Sequence, residues 1–395
     1  MNKKLLVLII FILFLSCEGR QKRQRIESSS ERNKTIVSTG ANNNSIQDKA
    51  AISTEADNVI LIPFYSKGFY GYVNSALQVV IRPKFEKAGH FTSDGFAIAY
   101  IGLIKPAIIN IQGNVVKSLS YGTIYHIYGD IYEFQGSEIN ERYIIRIKDN
   151  KVIAEQAGSN GMTTKEGYIM GIFPYEEKRH CFIDFDGNKV LTHLNMNRPS
   201  YSFFDQRARI TDEDWNPRII DMEGNNVGDF SFVSIGQRYS EGLIPAGTAD
   251  GITGYLDKSG SFSFTVPFVS DNGIPDATDF SGGYAAVKTS NYNWKIINAD
   301  GQIVSENLSV DYMNEFSDGL SMILIYNPAT DERKYGYVNT KGEYLVRPIL
   351  DVADDFKNGY ARIEYNGREG LLKTNGKVIW SSDIMKGSPV ENELR

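Results

Sequence analysis

The chain has 395 residues, 42% hydrophobic and 12% aromatic, with 42 Lys and Arg against 48 Asp and Glu and a formal net charge of −6. That balance argues against a general nucleic-acid binder, whose phosphate contacts need a basic surface. Two cysteines in 395 residues exclude a disulfide-stapled scaffold.

Residues 1–16 read as an export signal: Lys3 and Lys4, an apolar run from Leu5 to Leu15, then Ser16 ahead of Cys17. Eleven apolar residues are too few to span a bilayer as a mature helix. Phe14-Leu15-Ser16-Cys17 resembles the bacterial lipobox, with Phe14 in place of the usual Leu and Leu15 in place of a small residue. The resemblance implies a lipidated Cys17 as the new N-terminus. An ordinary secretory signal cut nearby and an uncleaved anchor are the alternatives. With Cys17 lipidated, Cys181 has no disulfide partner. Its strand-like setting between His180 and Phe182 predicts a buried thiol. Residues 17–57 shift to Ser, Asn, Gln and charge, the composition of a disordered tether. Arg20, Lys22, Arg23, Arg25, Arg32 and Lys34 make its first part basic, suited to anionic headgroups or to a solvated spacer.

From residue 58 to 380 a short pattern returns nine times: an aliphatic pair, Asn or Asp, two spacers and Gly. The turn positions are Leu77, Gly113, Asp149, Gly187, Gly224, Gly260, Gly301, Gly342 and Gly376, in steps of 34 to 41 residues. So steady a period predicts an array of one small unit. Asn74, Asn110, Asp184, Asp221, Asp257, Asn298 and Asn339 stand three residues before the turn, where their side chains can bond the backbone ahead. Arg146 and Lys373 depart from this rule, and Leu77 and Asp149 replace Gly, so those copies are expected to be bulged or wider. Each tight turn asks for a left-handed residue, hence Gly.

A second signal follows about 18 residues later, except after Gly260, where it comes five residues later than elsewhere. It reads Phe91-Thr92-Ser93-Asp94-Gly95, Tyr239-Ser240-Glu241-Gly242, Phe280-Ser281-Gly282-Gly283, Phe316-Ser317-Asp318-Gly319 and Phe356-Lys357-Asn358-Gly359. A small-apolar strand comes next, as in Phe96-Ala97-Ile98-Ala99. Each unit is thus three or four short antiparallel strands.

The chain here resembles the WG-repeat (KWG) family. Tyr70-Gly71-Tyr72-Val73-Asn74 with Val80-Ile81-Arg82-Pro83 matches its pattern, as does Tyr335-Gly336-Tyr337-Val338-Asn339 with Val346-Arg347-Pro348. Tyr-Gly stands where the family has Trp-Gly, and the copies across residues 107–215 are degenerate. The resemblance implies a repeat scaffold of exported bacterial proteins without a shared activity. A lone unit of this size cannot bury enough surface to fold, so units must stack. The fold expected is all-β, a β-propeller-like array of about nine antiparallel units, with an open β-solenoid or arc as the alternative. Nine units exceed the usual four to eight blades, which counts against simple closure. Residues 381–395 read as a polar C-terminal tail.

Chemistry is sparse. His90, His126, His180 and His193 show no metal-ligand spacing, and His180 and Cys181 with His193 read as strand and loop residues. Asp184-Phe185-Asp186-Gly187-Asn188 is the nearest approach to a calcium loop but falls on a repeat turn that demands Asp and Gly anyway. Thr211-Asp212-Glu213-Asp214-Trp215 is the densest acidic stretch, either a solvated loop or part of a site for a basic partner or cation. Tyr65, Tyr121, Tyr125, Tyr201 and Tyr292 lie in loops, where they could stack on sugar or peptide. No catalytic residue, metal or cofactor is expected. The expected function is non-catalytic binding or scaffolding by a protein lipid-anchored outside the cytoplasm, at the outer membrane or cell surface rather than the inner membrane. A protein partner is expected, a glycan is the alternative, and an enzyme with a site at a propeller-like axis comes last.

Overall fold

The computed structural model describes residues 60–394, apart from 139–140, 160, 162, 174–179, 197, 200–201, 229–231, 272 and 291, and residues 198–199 by backbone alone. Cys17, the signal-like segment and the basic tether lie outside the described residues.

Among the described residues the chain forms nine antiparallel sheets of three to five strands, together with one two-stranded ribbon. Each of the nine turns falls in its own sheet. The all-β expectation holds, and the sheets follow one another as the blades of a β-propeller, with almost no helix. The ring closes by packing. Ile62, Phe64, Val73 and Leu77 of the first sheet share one core with Leu371 and Ile379 of the last and with Ile384. Closure therefore takes place despite the number of units. Among the described residues no strand is exchanged across the closure, and Ile62–Ser66 pairs with Phe69–Val73.

The repeated residues explain the repeated geometry. Tyr72, Tyr255 and Tyr337 are buried, and their rings meet Phe91, Phe280 and Phe356 edge-on at centroid distances of 4.8, 4.9 and 4.9 Å. Each phenol donates to a carbonyl just ahead of that aromatic: Gly89 (2.8 Å), Thr278 (2.8 Å) and Asp354 (2.6 Å). A buried Tyr needs such a partner for its hydroxyl. The two sequence signals are thus the two halves of one core contact. Gly71 and Gly336 precede the Tyr because a Cβ there would sit 2.5 Å from the Ile81 and Val346 carbonyl oxygens of the adjacent strand.

The turns behave as the sequence asks. Gly113, Gly187, Gly224, Gly260, Gly301, Gly342 and Gly376 all have φ between 75° and 95°. All seven Asn and Asp side chains accept the backbone N–H groups two and four residues on, as Asn339 does from Lys341 (2.9 Å) and Glu343 (3.0 Å). In the two departing copies the acceptor moves within the turn, to Asp149 and Asn375. The third turn is shifted by one: Asn150, not Asp149, is left-handed (φ 54°), while Leu77 itself is left-handed at φ 60°.

Residues 381–394 differ from the polar tail expected of 381–395. Ser381–Met385 is a short helix that buries Ile384, and Glu391–Asn392 pairs with Val378–Ile379 as the fifth strand of the last sheet. Ile384, Met385, Val390 and Leu394 are too scattered among polar residues to leave a periodic signal, and the added edge strand is held through charge, by Lys373–Glu391 and Lys377–Glu393.

Candidate functional site

Strand direction divides the ring into two faces. In the second sheet Phe96–Tyr100 runs away from the Thr92–Gly95 turn to hairpin 101–105, and Pro106–Asn110 runs back to the Gly113 turn. Both sequence signals therefore lie on one face, the turn face. The opposite, hairpin face carries connections that differ from sheet to sheet.

On the turn face the second signal clamps neighbouring sheets. Ser240 to Leu243 and Ser317 to Leu320 are two-residue hairpins whose central residues both have positive φ, Glu241 55° and Gly242 81°, Asp318 50° and Gly319 77°. That combination is a type I′ turn, whose twist suits antiparallel strands. The acid in the turn accepts from the next sheet's turn. Glu241 takes the Gly282 and Gly283 N–H groups at 2.7 and 2.9 Å, Asp318 takes Gly359 N–H at 2.7 Å, and Asp205 takes Gly242 N–H at 2.7 Å. Sequence reading missed this role, although an acid at the third motif position was its visible signal.

The residue just before each motif aromatic forms a second course: His90, Arg238, Asp279, Glu315 and Asp355. Arg238 reaches two sheets at once, Nε to Asp279 at 2.8 Å and Nη2 to Glu315 at 2.8 Å. One side chain can bridge two successive sheets only where they converge, so this course lies near the axis of the ring. Burial, with Glu315 beside it, pushes the Asp279 carboxyl up to about 7, against the pull of Arg238. Burial pulls His90 down to about 4, keeping it neutral at neutral pH. Arg238, Asp279 and Glu315 satisfy one another, and Asn314 donates to Asp355 at 2.8 Å, whereas His90 Nδ1 is buried without a hydrogen-bond partner.

The hairpin face is where large side chains meet solvent. Hairpin 211–217 copies a repeat turn on the wrong face. Asp212 accepts from Asp214 and Asn216 at 3.0 and 2.9 Å, and Trp215 takes the place of the turn Gly, with φ 66°. A bulky residue is rare in that conformation, and Trp215 is 61% exposed. Ile252 of the next sheet and Tyr292 of the one after it are also exposed.

Where the ring closes, a cleft of about 520 Å³ opens among the first, second and last sheets, lined by Tyr65, Tyr70, Lys87, Tyr100, Arg362 and Glu364 among others. The Tyr65 and Tyr70 rings stand 4.8 Å apart, with the Arg362 guanidinium 6.0 and 5.7 Å from their centroids. Arg362 is fixed by two hydrogen bonds to Asp354, at 2.9 and 3.1 Å. A smaller pocket of about 80 Å³ shares Tyr70, Ala88 and Arg362 with this cleft and is lined also by His90 and Asp355 of the axial course.

The other sequence candidates do not converge. Asp184 is saturated as a turn cap by Asp186, Asn188 and the Asn188 amide at 2.8–2.9 Å. Cys181 is buried in the fourth sheet. Among the described residues no three His, Cys, Asp or Glu side chains gather as metal ligands would. Tyr65 and Tyr125 are half-buried, Tyr121 and Tyr292 are exposed, and Tyr201 lies outside the described residues.

The family model of the WG containing repeat matches residues 70–102 and 335–368, the two copies with the fullest motif. No curated protein matches the chain. A crystal structure of a eukaryotic initiation factor is similar in fold, with a TM-score of 0.52 and 10% identity over 85% of this chain and 96% of the other. The computationally designed protein Ika8 aligns with a TM-score of 0.42 and 10% identity over 81% of this chain and 98% of its own. BamB from Moraxella catarrhalis aligns with a TM-score of 0.40 and 14% identity over 72% and 92%.

Proposed function

We propose that the chain is a non-catalytic binding protein, held outside the cytoplasm by a lipid on Cys17, whose hairpin face recognises a protein with a basic patch. The observation that carries the reading is Trp215: exposed, in a strained left-handed conformation, and flanked by Asp212, Glu213 and Asp214. Strain at an exposed aromatic marks a residue retained for something other than folding, and Trp is the residue most enriched at the centres of protein interfaces. Asp212 is paired with Arg218 at 2.6 Å, and the exposed Glu213 and Asp214 beside the indole would steer a cationic partner. A rigid ring presenting variable hairpins is the usual arrangement of a binding face.

A protein fits better than a glycan, because the exposed aromatics do not form a row. Trp215 and Tyr292 are separated by the Ile252 hairpin, and Tyr65 and Tyr125 are half-buried. Non-catalytic action is supported by the axial course, where Arg238, Asp279 and Glu315 bind one another and tie three sheets together. The test is photo-crosslinking in living cells, with a photoreactive residue at position 215 or, on the turn face, at 341. A discrete protein adduct at 215 that is missing at 341 supports the reading. Equal or absent adducts at both positions refute it.

A further inference from the structure

We infer that the edge of the ring beside the closure cleft is a lipid-contacting surface, with hairpin 100–106 dipping into the bilayer interface. At the tip of that hairpin Ile101, Leu103 and Ile104 are all exposed, Leu103 by 81% and Ile104 by 58%, and Gly102 is the remaining tip residue. Aliphatic residues so concentrated at an exposed tip do not arise for folding. Across the mouth of the cleft, hairpin 66–69 exposes Phe69. Each hairpin adds an exposed lysine, Lys67 and Lys105, whose long stem lets its charge reach lipid phosphates while the apolar neighbours go deeper. At the bases of the two hairpins Tyr65, Tyr70 and Tyr100 line the cleft. Phenols in that position match the aromatic belt of a membrane interface.

A lipid surface suits this edge better than a protein does. The apolar tip is convex and narrow, and the hairpins at this edge each add a lysine, Lys67 and Lys105, while the acids nearby, Glu86, Glu364 and Glu369, lie at the cleft and the hairpin bases rather than at the tips. Elsewhere on the same face the hairpin tips are acidic, with Glu213 and Asp214, Asp250 and Asp331 exposed, and would be repelled by anionic headgroups. The ring would therefore stand on its closure edge, with the Trp215 sector facing away from the bilayer and open to a partner. The chain enters the ring at this same edge, through the first sheet. The inference rests on the membrane location proposed above and is independent of the protein partner.

The test places an environment-sensitive fluorophore on the full chain in vesicles of phosphatidylethanolamine and phosphatidylglycerol, at Leu103→Cys or, as the turn-face control, at Lys341→Cys. The native Cys181 is buried. At 103 the emission is expected to shift to the blue and to lose most of its intensity to nitroxide-bearing lipid, with neither change at 341. Adding Ile104→Asp should abolish the quenching at 103 while the protein still floats with the vesicles. Flotation with an aqueous spectrum at 103 overturns the inference and leaves the anchor intact. Failure to float overturns both. Shielding at 103 that appears only when native membrane proteins are added overturns it in favour of a protein contact.

Discussion

Replacing Trp215 with Gly should make the ring more stable and its binding worse. Trp215 occupies the position that Gly fills in the repeat turns, at φ 66°. An L-residue held left-handed loses about 1–2 kcal/mol, whereas Gly tolerates the conformation but gives up about 0.5–1 kcal/mol of unfolded-chain entropy. The side chain is 61% exposed, so little burial is lost with it. The net gain is about 0.5–1 kcal/mol. For a ring of roughly 340 residues, whose unfolding entropy is about 0.7 kcal/mol/K, that raises Tm by roughly 1 °C. So small a shift is read best against Trp215→Ala, which removes the same indole but keeps a Cβ in the left-handed conformation. Chemical denaturation of the three proteins should order them with Gly above both others, by about 1 kcal/mol over Ala. Both variants should lose the crosslinked adduct when the photoreactive residue is moved to position 292. A Trp215→Gly protein no more stable than Trp215→Ala would refute the strain argument, and undiminished adducts would refute the binding role.

Asp279 gives the stability a pH dependence. Its folded carboxyl titrates near 7 and its unfolded carboxyl near about 4. Between these values the folded chain holds a proton that the unfolded chain has lost, so this group's contribution falls as pH rises and levels off above 7. Asp279→Asn should flatten that slope, and an unchanged slope on denaturation at pH 5 and 8 would contradict the assignment. Glu133 is fully buried and accepts from Ser159 Oγ at 2.6 Å and Gly161 N–H at 3.0 Å. Glu133→Ala strands both of these donors and the Gln135 amide that also bonds Glu133, and should destabilise the third sheet by about 2–4 kcal/mol; a loss under about 1 kcal/mol would mean the site rehydrates. Ile384→Ala should loosen ring closure at a cost of about 2–4 kcal/mol, visible as faster hydrogen exchange in both the first and last sheets. Faster exchange in the last sheet alone would show that the helix does not join them.

The repeat was legible because its residues answer to backbone demands that do not vary with context. Gly at φ near 80°, Asn or Asp capping the turn, and Tyr pairing with the next aromatic appear in order wherever the unit is intact. Closure was harder to read, because the core shared by Phe64 and Leu371 joins residues some 300 apart through ordinary apolar side chains. The C-terminal strand was hidden for a related reason, since its polar residues are held by charge and backbone pairing. The axial course was missed because its members share a position but not a charge: the acids Asp279, Glu315 and Asp355 stand with His90 and Arg238, and a mixed set gives no repeated signal in sequence. Trp215 was visible as part of an acidic stretch. That it copies a repeat turn on the opposite face shows only once strand direction is known.

Both the partner and the bilayer contact depend on the ring working at a membrane, and the intact mass of the mature protein purified from its own membranes tests this most directly. The account predicts a chain that begins at Cys17 and carries the added mass of a thioether-linked diacylglycerol, with a Cys17→Ala variant left unprocessed. A mature protein without lipid mass, or one cut at another residue, would contradict it.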